Sequence, residues 1–273
     1  MSLKLLKNGV KLLSAHQLEK IKKFKNKHLG EDCYIIGDGV SIKWFELNQF
    51  SNKIAISASS LIPFHNSFSD LNLRYAMVPE PYWFYPGFWT KYITRSVSMP
   101  EIQRAYRSII KKNLDTEFFI NLSNYPILKN TGNINYLFHN FPDKFFGEQS
   151  VSYGFNPFAG GLTGAVSLAI YMGFDSIFLV GCDYTHIPSR SLHWYESGPG
   201  ILTDHPHYNR NFFQFAQKQA DITTVTLDGS SEYLKSIKYQ DFTGVPPAYK
   251  ENTKLLSDQY LKILASYSGY KIR

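Results

Sequence analysis

Four groups of residues carry the types and spacing that chemistry needs. Gly37, Asp38, Gly39 and Ser41 form a glycine loop (GDGVS) directly after the apolar run Cys33–Gly37. A second cluster, Gly160–Gly164 (GGLTG) with Gly161 inside it, opens an apolar helical pattern, and Asp183-Tyr184-Thr185 closes the apolar run Ser176–Gly181. Glycine at a strand end or helix start lets backbone N–H groups approach an anion closely. Two such loops in one chain point to a nucleotide-type ligand, bound where ligands sit in open α/β sheets. The fourth group is the polar segment Thr185–Asn211, which holds His186, His193, His205 and His207 beside Tyr184, Tyr195 and Tyr208. One well-placed imidazole suffices for general acid–base work near neutral pH. Tyrosyl hydroxyls can donate hydrogen bonds to a leaving phosphate without carrying charge.

Other readings stand beside these. GDGVS lacks the third glycine of a dinucleotide fingerprint and the Lys-Ser/Thr of a P-loop, so an ordinary strand-to-helix turn also fits it. Asp183 suits a turn cap, a ribose contact or a metal. Asp204, His205 and His207 have spacing that could ligate zinc, but no cysteine or spaced histidine pair accompanies them. For any one histidine or tyrosine in the segment, ordinary loop packing is the plain alternative.

These residues need a scaffold, and the apolar runs supply one. Strand patterns cover Cys33–Gly37, Lys53–Ser57, Leu73–Val78, Glu117–Asn121, Ile134–Phe138, Ser176–Gly181 and Ile222–Leu227. Helical patterns cover Leu3–Lys27, Glu101–Lys112, Thr163–Met172, Arg210–Gln219, Ser231–Ile237 and Asn252–Ser266. Short buried strands alternating with helices predict an α/β, Rossmann-like, doubly wound and mainly parallel sheet. Thr185–Asn211 is then a lid segment after the sixth strand. The chain divides into a basic amphipathic N-terminal helix, 1–30, and a Rossmann-like domain, 31–273, that carries the lid 185–211.

Composition sets outer bounds. The chain has 273 residues, 44% of them hydrophobic and 16% aromatic, enough for a sizeable core. A net charge of +7 suits nucleic acid, an anionic membrane face or a phosphorylated substrate. No basic helix with base-stacking aromatics is present, which sets nucleic acid aside. Lys4, Lys7, Lys11, Lys20, Lys22, Lys23, Lys25 and Lys27 alternate with apolar residues, the pattern of a helix packed on the domain or of a peripheral membrane contact. Cys33 and Cys182 lie inside apolar runs and read as buried free thiols of a reducing compartment. With no signal-peptide pattern and no membrane span, a cytoplasmic protein is expected, resting at the inner membrane face. The aromatic content also allows self-association.

Several segments resemble a family. GDGVS after CYII resembles the GNGPS loop of the bacterial sialyltransferases built on one Rossmann-like domain, and GGLTGAVSLAIYMGFDSIFLVGCDY resembles their Ser-Gly helix, break and following strand. His205–Phe215 (HPHYNRNFFQF) resembles the histidine segment after their lid. The scaffold is shared with hydroxymethylpterin diphosphokinase-like proteins and flagellin nonulosonate transferases. The resemblance spans about Asp32–Asp241 and is dense around Phe158–Tyr184.

It implies a glycosyltransferase that moves a sialic-acid-like nonulosonic acid from a CMP-sugar donor to a glycan acceptor, without metal or other cofactor. His207 is then the general base, with Tyr184 and Tyr195 assisting departure of the phosphate. Thr163 and Gly164 match the Ser-Gly that contacts the donor, while Gly37, Asp38, Gly39 and Ser41 match the first nucleotide loop. Asp38 departs from the family asparagine, and the second strand ends in Ser57-Ala58-Ser59-Ser60 instead of an Asn-rich turn. Asp38 with Asp183 could instead hold Mg²⁺ for a diphosphokinase acting on a pterin-like alcohol. A non-catalytic nucleotide-binding module for polysaccharide assembly is the third expectation.

Overall fold

The structure is a computed structural model that describes residues 16–85, 100–128, 132–137, 160–204, 210–266 and 270–272. Strands β1 (Asp32–Ile36), β2 (Ile54–Ser57), β3 (Leu73–Val78), β4 (Glu117–Asn121) and β5 (Ile134–Leu137) form in chain order, with helix α1 (Pro100–Lys112) between β3 and β4. Helix α2 (Gly160–Met172) then leads into β6 (Ser176–Val180). A two-stranded pair follows, β7 (Ser189–Arg190) with β8 (Leu202–Thr203), and then α3 (Arg210–Ala216), β9 (Asp221–Thr226), β10 (Lys235–Lys238) and α4 (Asp258–Ala265).

Eight strands make one sheet in the order β10-β9-β6-β1-β2-β3-β4-β5, and every pairing in it is parallel. The chain winds from β1 outward to β5, then crosses back to lay β6 on the other side of β1. That reversal creates a topological switch point between β1 and β6. The expected doubly wound α/β architecture with a segment inserted after the sixth strand is the fold observed.

Alternate residues of each strand feed opposite faces. Tyr34, Ile36, Ala76, Val78, Phe118 and Ile120 join one core with Tyr106 and Ile110 of α1. Cys33, Ile35, Tyr75, Met77 and Phe119 join the other with α2. Helix α2 is buried nearly all round, from Thr163 through Ala169, as an apolar helix between sheet and neighbours must be.

Of the expected helix Leu3–Lys27, residues 3–15 lie outside the described residues, and the described part ends as a short 3₁₀ helix, Lys20–Phe24, with Lys25 already out of helical geometry (φ −59°, ψ 123°). Leu18, Ile21 and Phe24 are buried while Lys20, Lys22, Lys23, Lys25 and Lys27 are exposed. Phe24 packs edge-on against Phe119 at 5.0 Å and Tyr75 at 6.0 Å, so the apolar face of this part lies on the sheet. Cys33 and Cys182 are buried and unpaired. No described helix is long and apolar enough to cross a membrane.

Two further elements differ from expectation. Ser231–Ile237 carries a helical pattern, yet Lys235–Lys238 forms β10, parallel to β9. Its backbone satisfies the otherwise open edge of β9, and tertiary pairing overrides local pattern there. The expected C-terminal helix is broken between Leu255 and Asp258, where Ser257 stands extended (φ −65°, ψ 149°) as the residue before α4.

Candidate functional site: a cleft at the switch point

Strand ends and one helix start converge on a cleft of about 210 Å³, lined by the turns after β1, β2 and β6 and by the first turn of α2. Its walls include Gly37, Asp38 and Gly39, then Ala58 and Ser59, Gly160 and Gly161, and the turn Gly181–Thr185, with His193 at one side. Of the residues expected from sequence, Gly37, Asp38, Gly39, Gly161, Asp183 and Tyr184 face this one space.

Close backbone approach explains two glycines. A Cβ on Gly161 would stand 1.8 Å from the Ala58 carbonyl oxygen, so only glycine lets the α2 N-terminus press against the end of β2. A Cβ on Gly39 would meet the Asp183 carboxylate at 2.5 Å. Ser41 does not line the cleft: its N–H donates to Asp183 Oδ2 at 3.0 Å and its hydroxyl to Oδ1, which ties the first loop to the β6 turn. Thr163 and Gly164 are buried one turn into α2 and also stand off the cleft.

Both acidic residues are buried and engaged. Asp38 Oδ1 accepts from Trp194 Nε1 at 3.0 Å, and Oδ2 accepts from the Ser59 hydroxyl. Burial pushes both carboxyls up; the Asp183 value rises to about 6, with its Ser41 bonds opposing the shift. All four carboxylate oxygens therefore already hold donors. Asp38 and Asp183 close the loops around the cleft and do not fit an open pair of ligands for Mg²⁺.

The segment after β6 is stitched to the sheet. Gly39 and His193 form an antiparallel bridge, and Trp194 N–H donates to the Asp38 carbonyl at 3.1 Å. Trp194 is fully buried. Lys43, itself buried, donates its ammonium to the carbonyls of Glu196 at 2.5 Å and Gly198 at 2.8 Å. Burial draws the Lys43 ammonium down to about 8.

These ties hold a pair that was not singled out from sequence. His193 Nδ1 lies 2.7 Å from Glu196 Oε1, which also accepts the His193 N–H at 3.0 Å. The imidazole stacks on Tyr195 at 5.0 Å with rings 6° from parallel. Burial draws this imidazole down, but the Glu196 hydrogen bond and the charges of Asp38, Glu196 and Asp183 outweigh it, and its pKa ends raised. Nε2 has no protein partner among the described residues. Such a carboxylate–imidazole pair fixes one tautomer and leaves the other nitrogen to take a proton.

Tyr184 is 44% exposed at the cleft, and burial followed by the Asp183 charge keeps its phenol protonated as a donor. Tyr195 does not reach the cleft; it is buried against Trp194, His193 and Tyr270. The expected base, His207, lies outside the described residues, as do His205 and Tyr208. The signal that could have found His193 is the spacing His193-Trp194-Tyr195-Glu196, which places a carboxylate three residues after an imidazole.

No protein-family model and no curated protein matches this sequence. Two solved structures are similar in fold. The MAf glycosyltransferase from Magnetospirillum magneticum AMB-1 shares 11% identity at a TM-score of 0.44, over 96% of this chain and 42% of its own. The chain thus spans less than half the length of that transferase. The sialyltransferase CstII from Campylobacter jejuni, solved with the substrate analogue CMP-3FNeuAc, shares 10% identity at a TM-score of 0.42, over 86% of this chain and 99% of its own. Likenesses this distant carry no argument about activity, which rests on the cleft alone.

Proposed function

We propose that this chain is a glycosyltransferase that transfers a nonulosonic acid from a CMP-activated donor to a hydroxyl of a glycan acceptor. The carrying observation is the His193–Glu196 pair at the wall of a cleft built at the switch point. A nucleotide fits that place in a doubly wound sheet. An oriented imidazole beside it fits the activation of a hydroxyl nucleophile.

In this reading His193 Nε2 takes the acceptor hydroxyl proton as that oxygen bonds to the anomeric carbon. The bond from the anomeric carbon to the phosphate oxygen breaks, and the nucleotide leaves with the electron pair. The N-terminus of α2 and the Tyr184 hydroxyl face the leaving phosphate and oppose its growing charge. His193 is the base in this reading because Glu196 orients its imidazole at the cleft wall; His207, the base that the resemblance implies, lies outside the described residues. Exposed Lys20, Lys22, Lys23, Lys25 and Lys27 suit work beside an anionic membrane face. The internal engagement of Asp38 and Asp183 sets the Mg²⁺ diphosphokinase reading second.

Turnover of a CMP-nonulosonate with a glycan acceptor tests the assignment in wild type, His193→Ala and His207→Ala. We expect His193→Ala to lose on the order of 100-fold or more in kcat while still binding CMP, and His207→Ala to stay within a few-fold. The reverse pattern would move the base to His207. CMP binding without turnover of any donor would leave a non-catalytic nucleotide module.

A further inference from the structure

The His193–Glu196 pair is completed from the far end of the chain. Glu196 Oε1 is occupied by His193, while Oε2 accepts the Lys271 N–H at 2.8 Å. The Lys271 carbonyl accepts the Ser197 N–H at 2.7 Å, so one residue of the tail bonds the segment on both sides of its backbone. Tyr270 sets its ring edge against His193 (6.2 Å, 87°) and against Tyr195 (5.1 Å, 88°). His193 is therefore held on one ring face by Tyr195, at its side by Tyr270, at Nδ1 by Glu196 and along its backbone by Gly39.

We infer that Tyr270 and Lys271 form a C-terminal strap whose positioning contacts fix the orientation and tautomer of His193 through Glu196. A carboxylate with one oxygen unbound can rotate, and its second oxygen then competes for solvent. The backbone N–H of Lys271 removes that freedom by holding Oε2. Glu196 Oε1 is left aimed at Nδ1, and the proton of the neutral imidazole stays there. Tyr270 blocks the sideways swing of the ring. Neither residue needs to touch a substrate. The inference rests on the reading of His193 as the base for its effect on rate, but not for its effect on the imidazole.

Two variants separate the strap from general stability. Lys271→Pro deletes the single N–H that holds Glu196 Oε2. A chain ended at Gly269 removes Tyr270 and Lys271 together. Both are compared with wild type by ¹⁵N NMR of the histidine ring nitrogens, with His193→Ala to assign the signal, and by steady-state kinetics with the CMP donor.

At a pH above the His193 midpoint, where the ring is neutral, wild type is expected to show one Nδ1–H tautomer for His193. The strap variants should show a mixture of tautomers, with kcat about tenfold lower and an unchanged donor KM. A single Nδ1–H tautomer persisting in both folded variants would overturn the inference. A tautomer mixture with unchanged kcat would uphold the strap and contradict His193 as the base.

Discussion

The proposed transfer turns on which nitrogen of His193 is free and at what pH it is neutral. Burial alone would lower its pKa, but the bonded Glu196 and the charges of Asp38, Glu196 and Asp183 raise it. An imidazole acts as a base only when neutral, so the shift moves activity toward higher pH. The rate kcat/KM is expected to climb with pH through a midpoint above the ordinary imidazole value of about 6.5. Glu196→Gln removes the bonded charge and should move that midpoint down while lowering the plateau. A pH–rate profile with the same midpoint in both proteins would contradict the pairing. At this scale the sequence was partly legible. Glycine runs at a strand end and a helix start mark close backbone approach, so the convergence of Gly37, Gly39 and Gly161 on one cleft was legible, while a bound ligand was only an expectation. Asp38 and Asp183 could be located but not assigned, because their partners Trp194, Ser59 and Ser41 come from other loops. Tyr195 was drawn toward chemistry by its neighbours in sequence, whereas its ring serves packing.

Among the elements, α2 decides whether the cleft exists. Its first turn reaches the end of β2 because Gly161 has no side chain, and the same contact presents its N–H groups to the cleft. Gly161→Ala must push the helix start away from the Ala58 carbonyl. It should cost about 1–3 kcal/mol of stability, seen as a lower melting temperature, and weaken nucleotide binding by more than tenfold. An unchanged affinity for CMP would show that the α2 N-terminus does not contact the nucleotide. Seven strands were legible because buried parallel strands are short apolar runs bounded by turn residues. The strand β10 was not. Parallel neighbours usually need a long crossover, yet 227–234 joins β9 to β10 with a short loop, and its edge position leaves Lys235, Ser236 and Lys238 exposed. The segment after β6 was legible as an insertion, but its docking was not. Its anchors, Gly39, Asp38, Lys43 and Lys271, are remote in sequence.

For the whole molecule, winding order places the site. The reversal between β1 and β6 opens the sheet where three strand ends and the α2 start meet, and every lining turn follows from that topology. A net charge of +7 favours encounter with an anionic ligand in solution. In the proposed reaction this cleft binds cytidine monophosphate. A ligand that binds only the folded chain raises its melting temperature, and by more the further its concentration exceeds Kd. The most direct measurement is therefore the melting temperature of the full chain with CMP, UDP, GDP or ATP, each with and without Mg²⁺. CMP is expected to stabilise the chain independently of Mg²⁺, and this stabilisation is expected to be lost in Gly161→Ala. Stabilisation by ATP alone, and only with Mg²⁺, would contradict the proposed reaction.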